Sequence, residues 1–345
     1  MKKKLYLCSL LCMLFSISLC GCFFAEPSAT QNEKPVTCDF FAMDTYVKAV
    51  LNGYDAETAA DAMQTEMLRL DSLLSLYRND SETARLRGTT SAIVSEDVAA
   101  LLGQSLRLHQ ETGGAFDITL FPVSSLWGFP HGPYRVPDRD TLAAALARTG
   151  MQAIHWDRAA RCFRSDNPEL TLDFGGIAKG YAAEQMARVL KERRIRHALL
   201  NLGGNIKAIG AKPDGSPWRV AIQHPDDANG YLGILSVSDL SVVTSGDYER
   251  FFEKDKARYH HILDPKTGAP ARSGIRSATI VCSDCATADG LSTALFVMGS
   301  QAAVSFWKKD PARFQFILFT EDRTLYVSEG LLPLFETTLA VTPVR

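Results

Sequence analysis

Three clusters of residues in this chain could do chemistry. Asp289 and Thr293 stand four apart in Ala288-Asp289-Gly290-Leu291-Ser292-Thr293-Ala294, a spacing that stacks a carboxylate and a hydroxyl on one helical face. Two hard oxygens so placed suit Mg²⁺ better than a soft metal. A carboxylate complementing the helix dipole and a threonine bonded back to its own helix would explain the pair equally well. The second cluster is Leu172-Asp173-Phe174-Gly175-Gly176-Ile177-Ala178-Lys179-Gly180-Tyr181. Its paired glycines leave amide N–H groups uncovered at a helix start, Lys179 adds a positive charge in the first turn, and Asp173 adds a carboxylate. A helix N-terminus of this kind can receive a phosphate or pyrophosphate, although a tight strand-to-helix turn uses the same glycines. The third is Arg258-Tyr259-His260-His261-Ile262-Leu263-Asp264-Pro265-Lys266-Thr267-Gly268. Asp-Pro-x-Thr-Gly is a turn that fixes the residues before it. His260 and His261 on an extended chain point to opposite faces, so at most one reaches a given site.

The elements that must position these clusters follow from periodicity. Alternation of Leu170 and Leu172 with Thr171 and Asp173 predicts a half-buried strand, and Tyr181 to Arg193 an amphipathic helix with Ala182, Met186, Val189 and Leu190 inward. Phe40 to Leu51 reads as one strand, and Ala56 to Tyr77 as a long helix with Ala59, Met63, Met67, Leu70 and Leu74 on one face. Ser95 is a candidate N-cap for a second helix carrying Glu96 and Asp97 in its first turn. Gly113-Gly114-Ala115-Phe116-Asp117 closes that helix and opens an extended run to Phe129. A loop over 130–137, a short helix Asp140 to Arg148 and a hairpin Ala153 to Phe163 follow. Later come strands Ala198 to Leu202, Ile206 to Ile209, Trp218 to Gln223, Leu232 to Val237 and Ser241 to Thr244, then a helix from Ala288 through Val297.

Composition narrows the function classes. The 345 residues carry a net charge of −2, and the chain beyond its first residues has no basic runs, which argues against nucleic acid and polyanion partners. Lys2-Lys3-Lys4 precedes an apolar stretch, Leu5 to Ser18, that is too short to span a membrane comfortably. Leu19-Cys20-Gly21-Cys22 then looks like a bacterial lipobox. The expectation is a signal peptide over 1–21, a lipid on Cys22, a flexible tether over 22–37 and a folded domain over 38–345. A plain cleaved signal peptide with an incidental cysteine is the competing reading. In the folded part Cys38, Cys162, Cys282 and Cys285 remain. Cys282 and Cys285 have knuckle spacing but lack the second pair that zinc would need.

Taken in order, these segments resemble the FAD:protein FMN transferases, the ApbE-like family. The resemblance runs from Phe41 to about Gly299. It is carried by Met43-Asp44-Thr45, Leu70-Asp71 through Ser75 and Tyr77, Gly114-Ala115-Phe116-Asp117, Asp173-Phe174-Gly175-Gly176 with Lys179-Gly180-Tyr181, Gly203-Gly204, Thr244-Ser245-Gly246, His261-Ile262-Leu263-Asp264-Pro265, and Asp289 with Thr293. It implies an α+β fold of mixed, largely antiparallel sheets with packed helices in two intimately joined lobes. It also implies Mg²⁺-dependent transfer of FMN from FAD to a threonine or serine of a partner protein, with release of AMP. The partner would be an acceptor with an FMN-binding domain, such as a flavinylated subunit of a membrane redox complex. The enzyme itself would be lipid-anchored at the bacterial cell membrane, facing the periplasm or exterior. By position, Met43, Tyr77, Ala115, Phe116, Asp117, Asp173, Lys179 and Ile262 would line the FAD site. Asp289, Thr293 and the Gly176 carbonyl would hold Mg²⁺, and His261 would be the general base with Asp264 as its partner or substitute. Asp44, Glu184 and Asn205 depart from the family's usual glycine and two aspartates. An FAD pyrophosphatase and a non-catalytic flavin-binding lipoprotein remain open alternatives.

Overall fold

A computed structural model describes residues 34–345; Cys22 and the whole of the expected signal peptide lie outside them. The frame is a nine-stranded sheet. Its order is Val36–Ala42, Thr45–Asn52, His197–Leu202, Asn205–Ile209, Ser241–Gly246, Ile275–Cys282, Gln315–Thr320, Leu325–Ser328 and Val341–Val344. Every neighbouring pair is antiparallel except the last. Helices Ala56–Leu74, Ala178–Glu192 and Cys285–Met298 cover one face through Met67, Leu70, Met186, Leu190, Leu291 and Leu295. On the other face a three-stranded sheet of Trp218–His224, Asp227–Val237 and Phe335–Glu336 closes over Ile206, Val242, Ile317 and Phe319. A third cluster joins Val123, Trp127 and Phe129 to Leu263, with Trp127 Nε1 donating to the Gly268 carbonyl at 2.7 Å. The α+β class expected from sequence is the class observed. No helix among the described residues is long and apolar enough to cross a membrane.

Several local expectations need correction. Phe40 to Leu51 is two strands, because Met43 and Asp44 both take left-handed backbone (φ 48° and 55°) and turn the chain into a hairpin. Asp44 therefore occupies a position that favours glycine but that aspartate tolerates. Leu170 to Asp173 belongs to no strand. Leu170, Thr171 and Leu172 are all buried, so the segment threads the core instead of lying on a half-wet sheet. The stretch after Asp117 is not extended: Phe121–Trp127 is a helix with Pro122 in its first turn, ended by Gly128 at φ 83°. Helix Ala56–Leu74 stops three residues short of Tyr77, which frees that ring from helical packing. Helix Cys285–Met298 begins earlier than Ala288, where the Asp284 side chain accepts from the Thr287 amide at 2.6 Å.

Candidate active site

Two helix segments cross at the centre of the site. A Cβ on Gly180 would lie 2.3 Å from the Cys285 carbonyl and 2.7 Å from Asp289 Cβ, so only glycine permits the approach. The Gly180 amide donates to Asp289 Oδ2 at 2.8 Å, and Asp289 is 5% exposed. Asp289 thus satisfies one of the orphan donors at the start of helix Ala178–Glu192. Its other oxygen is left for the cavity. Tyr181 pins the same helix from its far side, donating to Asp97 Oδ1 at 2.8 Å.

Around this crossing lies one cavity of about 1140 Å³, above the roughly 300–1,000 Å³ usual for a small-molecule site. It brings together Met43, Tyr77, Ala115, Phe116, Asp117, Asp173, Gly176, Lys179, His261, Ile262, Asp289 and Thr293. Asp264 does not line it. The Asp264 carboxylate instead accepts from the Lys266 amide at 2.8 Å within its own turn. Phe116 is 2% exposed, its ring wedged between the backbones of Gly176 and Gly290. Asp117 Oδ1 accepts from the Thr119 amide at 2.7 Å and from its hydroxyl. Tyr77 stands half out of the protein at the cavity edge, edge-on to His131 at 4.1 Å between ring centroids.

The electrostatics of the cavity are uneven. Lys179 and Arg250 both line it, and neither forms an ion pair among the described residues. Burial, reinforced by Arg250, His260 and Lys179, pushes the His261 pKa down to about 3, so the imidazole is neutral across the physiological range. Its Nδ1 has no hydrogen-bond partner, and its backbone N–H donates to the Arg250 carbonyl at 3.0 Å. Burial also raises the Asp173 carboxyl, against the Gly175 amide and Arg250 that pull it down. Glu249 is pushed up to about 7, chiefly by loss of solvent. His260 points away, its Nε2 bonded to the Ala271 carbonyl at 3.1 Å and its ring edge-on to Phe296.

The donors near Asp289 are all oxygen. Thr293 Oγ1 lies 3.3 Å from Ser245 Oγ, which meets Ser292 Oγ at 2.8 Å. A Cβ on Gly176 would lie 3.9 Å from Thr293 Oγ1, so that backbone is close by. No group of three His, Cys, Asp or Glu side chains gathers as a metal cage among the described residues. One carboxylate with hydroxyl and carbonyl oxygens is nonetheless a donor set that fits Mg²⁺, which keeps several waters and needs few protein ligands.

Glu249 and Arg250 carry no mark of a site in the sequence, whereas Ser245 lies in the Thr244-Ser245-Gly246 segment of the resemblance without a role attached to it. Glu249-Arg250 after a strand reads as an ordinary solvated turn, and only the hairpin Phe251–Lys254 with Ala257–His260 brings Arg250 beside His261.

Residues 43–318 match the ApbE family model. The chain belongs to the ApbE family. It is 34% identical over 311 residues to the FAD:protein FMN transferase of Salmonella typhimurium, covering 87% of this chain and 89% of that one. Among solved structures, the ApbE protein of Thermotoga maritima superposes with a TM-score of 0.81 at 31% identity, covering 87% of this chain and 99% of that chain. The flavin transferase ApbE from Vibrio cholerae gives 0.79 at 30%, with the same coverage.

The departures seen in this ApbE-family chain have structural explanations in two of three cases. Asp44 sits in the hairpin turn described above. Glu184 accepts from buried Lys207 at 2.7 Å and from the Cys285 amide at 2.6 Å, tying the two central helices together away from the cavity. Asn205 lines the cavity, is 3% exposed and has an unpartnered Nδ2.

Proposed function

We propose that this ApbE-family protein is an FAD:protein FMN transferase that moves FMN through its phosphate to a threonine or serine hydroxyl, releasing AMP. One observation carries the reading. A neutral imidazole, two unpaired cations and an all-oxygen donor set face one cavity large enough for a dinucleotide together with part of a second molecule.

In this mechanism Lys179 and Arg250 receive the pyrophosphate; the amides of Gly175, Ile177, Ala178 and Gly180, which the sequence pattern suggested for that task, are already bonded to Asp173, Phe174 and Asp289. Met43, Tyr77, Ala115, Phe116, Asp117, Asp173 and Ile262 enclose the remainder of FAD. Asp289, Thr293 and the Gly176 carbonyl would hold Mg²⁺, which when bound neutralises phosphate charge and favours AMP as leaving group. His261 accepts the proton of the acceptor hydroxyl as its oxygen bonds to the FMN phosphorus. The phosphorus–oxygen bond to AMP then breaks. Because Lys179 and Arg250 disfavour an imidazolium at His261, the anionic pyrophosphate offsets them and prepares the imidazole to take that proton. Asp264 remains a candidate only for steadying the loop that carries His261.

The test is to incubate the soluble domain with FAD, Mg²⁺ and an FMN-binding-domain acceptor, then weigh the acceptor. A gain of one FMN is expected. Free FMN and AMP with an unmodified acceptor would replace this reading by an FAD pyrophosphatase. We also propose that Cys22 bears a lipid that anchors the protein at the outer side of the cell membrane. Cys22→Ser should then move it out of the membrane fraction, and unchanged fractionation would refute the anchor.

A further inference from the structure

The cavity is more than a dinucleotide pocket, because one of its walls is the edge of a strand. Arg219, Val220, Ala221, Ile222 and Gln223 are consecutive, and all five line it. Successive side chains on a strand point to opposite faces, so five in a row can border one space only along the strand's edge. Trp218–His224 pairs with Asp227–Val237 on one side and is the last strand of its sheet on the other. Alternate N–H and C=O groups along that free edge therefore point at the cavity.

The floor beside this edge is the margin of the sheet face that the three-stranded sheet covers only in part: Leu199 and Val50 pack against it and stay half-buried. Leu199 and Asn201 line the cavity, and their direct partners on the next strand are Val50 and Lys48. The same face continues to Tyr46 and its partner Phe41, which are 55% and 63% exposed. A strand added to the Trp218–His224 edge would lie about 4.8 Å away from it and about 10 Å above this floor, the ordinary spacings of paired strands and stacked sheets. The floor's outer apolar side chains would then be covered by one face of the added strand.

The trough also leads to the chemistry. Arg276 donates to Asp226, two residues past His224, at 2.8 Å and to Asp247 at 2.5 Å. The His224 end of the edge is thereby held near the end of strand Ser241–Gly246, where Ser245 meets Thr293. Asn205, buried with its Nδ2 unpartnered, lines the same cavity and offers a donor to an incoming backbone carbonyl.

We infer that the acceptor polypeptide docks as an added β-strand along Trp218–His224, over the face carrying Leu199 and Tyr46, and so delivers its hydroxyl past Ser245 to His261. This rests on the flavin-transfer reading above. Main-chain pairing supplies affinity in this mode with little demand on side-chain identity, so acceptors of differing sequence fit one enzyme.

The probe is an FMN-binding domain carrying its acceptor threonine. Added to the wild-type protein without FAD, it should slow amide hydrogen exchange across 218–224. Leu199→Arg should raise the KM for that domain roughly tenfold or more, since a charge would be buried under the added strand, while FAD affinity stays as in wild type. If wild type labels the domain but exchange over 218–224 is unchanged, the docking mode is wrong and flavin transfer stands. An unchanged KM in a Leu199→Arg variant that still binds FAD overturns the docking mode in the same way. If that variant fails to bind FAD, the exchange result alone decides. Failure of wild type to label the domain overturns both readings.

Discussion

The Gly180 amide and the Asp289 carboxylate meet at 2.8 Å across two helices that only a missing Cβ allows to touch. This contact sets the height at which Asp289 faces the cavity. Gly180→Ala would press a methyl group into the Cys285 carbonyl and Asp289 Cβ, both too confined to yield. Overpacking of this kind costs ~1–3 kcal/mol, and the carboxylate would shift with the helix. Thermal denaturation should show the lower stability, and transfer should fall further than stability accounts for. Wild-type stability and rate in Gly180→Ala would show that the crossing is not tight.

Asp289→Ala removes the single buried carboxylate of the proposed Mg²⁺ site together with the acceptor of the Gly180 amide. Mg²⁺-dependent turnover should be abolished. Thr293→Ala should only raise the Mg²⁺ concentration needed for half-maximal rate. Full activity of Asp289→Ala in trace Mg²⁺ would exclude it as a ligand.

His261 and His260 should separate chemistry from packing. A positioned base contributes about two to four powers of ten in rate, so His261→Ala should bind FAD nearly as wild type and transfer FMN at least roughly a hundredfold more slowly. His260→Ala loses a buried hydrogen bond and an aromatic contact, so it should cost stability and much less rate. The His261 pKa is lowered in the folded protein from 6.5 to about 3. Its neutral form is therefore favoured by folding, and that stabilisation is complete above pH 6.5 and lost as pH falls toward 3. NMR of the ligand-free protein should show no titration of His261 between pH 8 and 5, and bound FAD should move its pKa upward. A midpoint near 6.5 without FAD would contradict this electrostatic picture.

Arg250 and Lys179 are the two unpaired cations of the cavity. Arg250→Ala should weaken FAD binding, which His261→Ala does not, and slow transfer as well. The loss of FAD affinity should shrink in high salt, since a cation facing a pyrophosphate acts through charge. Fluorescence quenching by FAD at two ionic strengths checks both statements. Unaltered affinity at low salt would remove Arg250 from the binding site.

Local order in the sequence determined more of the helical frame than of the sheets. The 3.6-residue pattern of Met63, Met67, Leu70 and Leu74 and the Ser95 cap are properties of short stretches, and the helices stand there. The Asp289–Thr293 spacing likewise places both on one turn facing one cavity. What failed was whatever depends on a partner distant in the chain. Leu170 to Asp173 alternates like a strand, yet no neighbour offers it a ladder and the core encloses it on both sides. Phe40 to Leu51 is apolar enough for one strand, but left-handed backbone at Met43 and Asp44 folds it into two. Arg250 carries no local signal at all. It enters the cavity because a hairpin sets it across from His261, and His261 is neutral because the fold removes water and gathers cations around it. Residue types and spacing are written in one dimension, so they determined which groups are available. Burial, charge and the free edge of Trp218–His224 arise only when segments far apart in sequence are packed together, and the tertiary structure decided those.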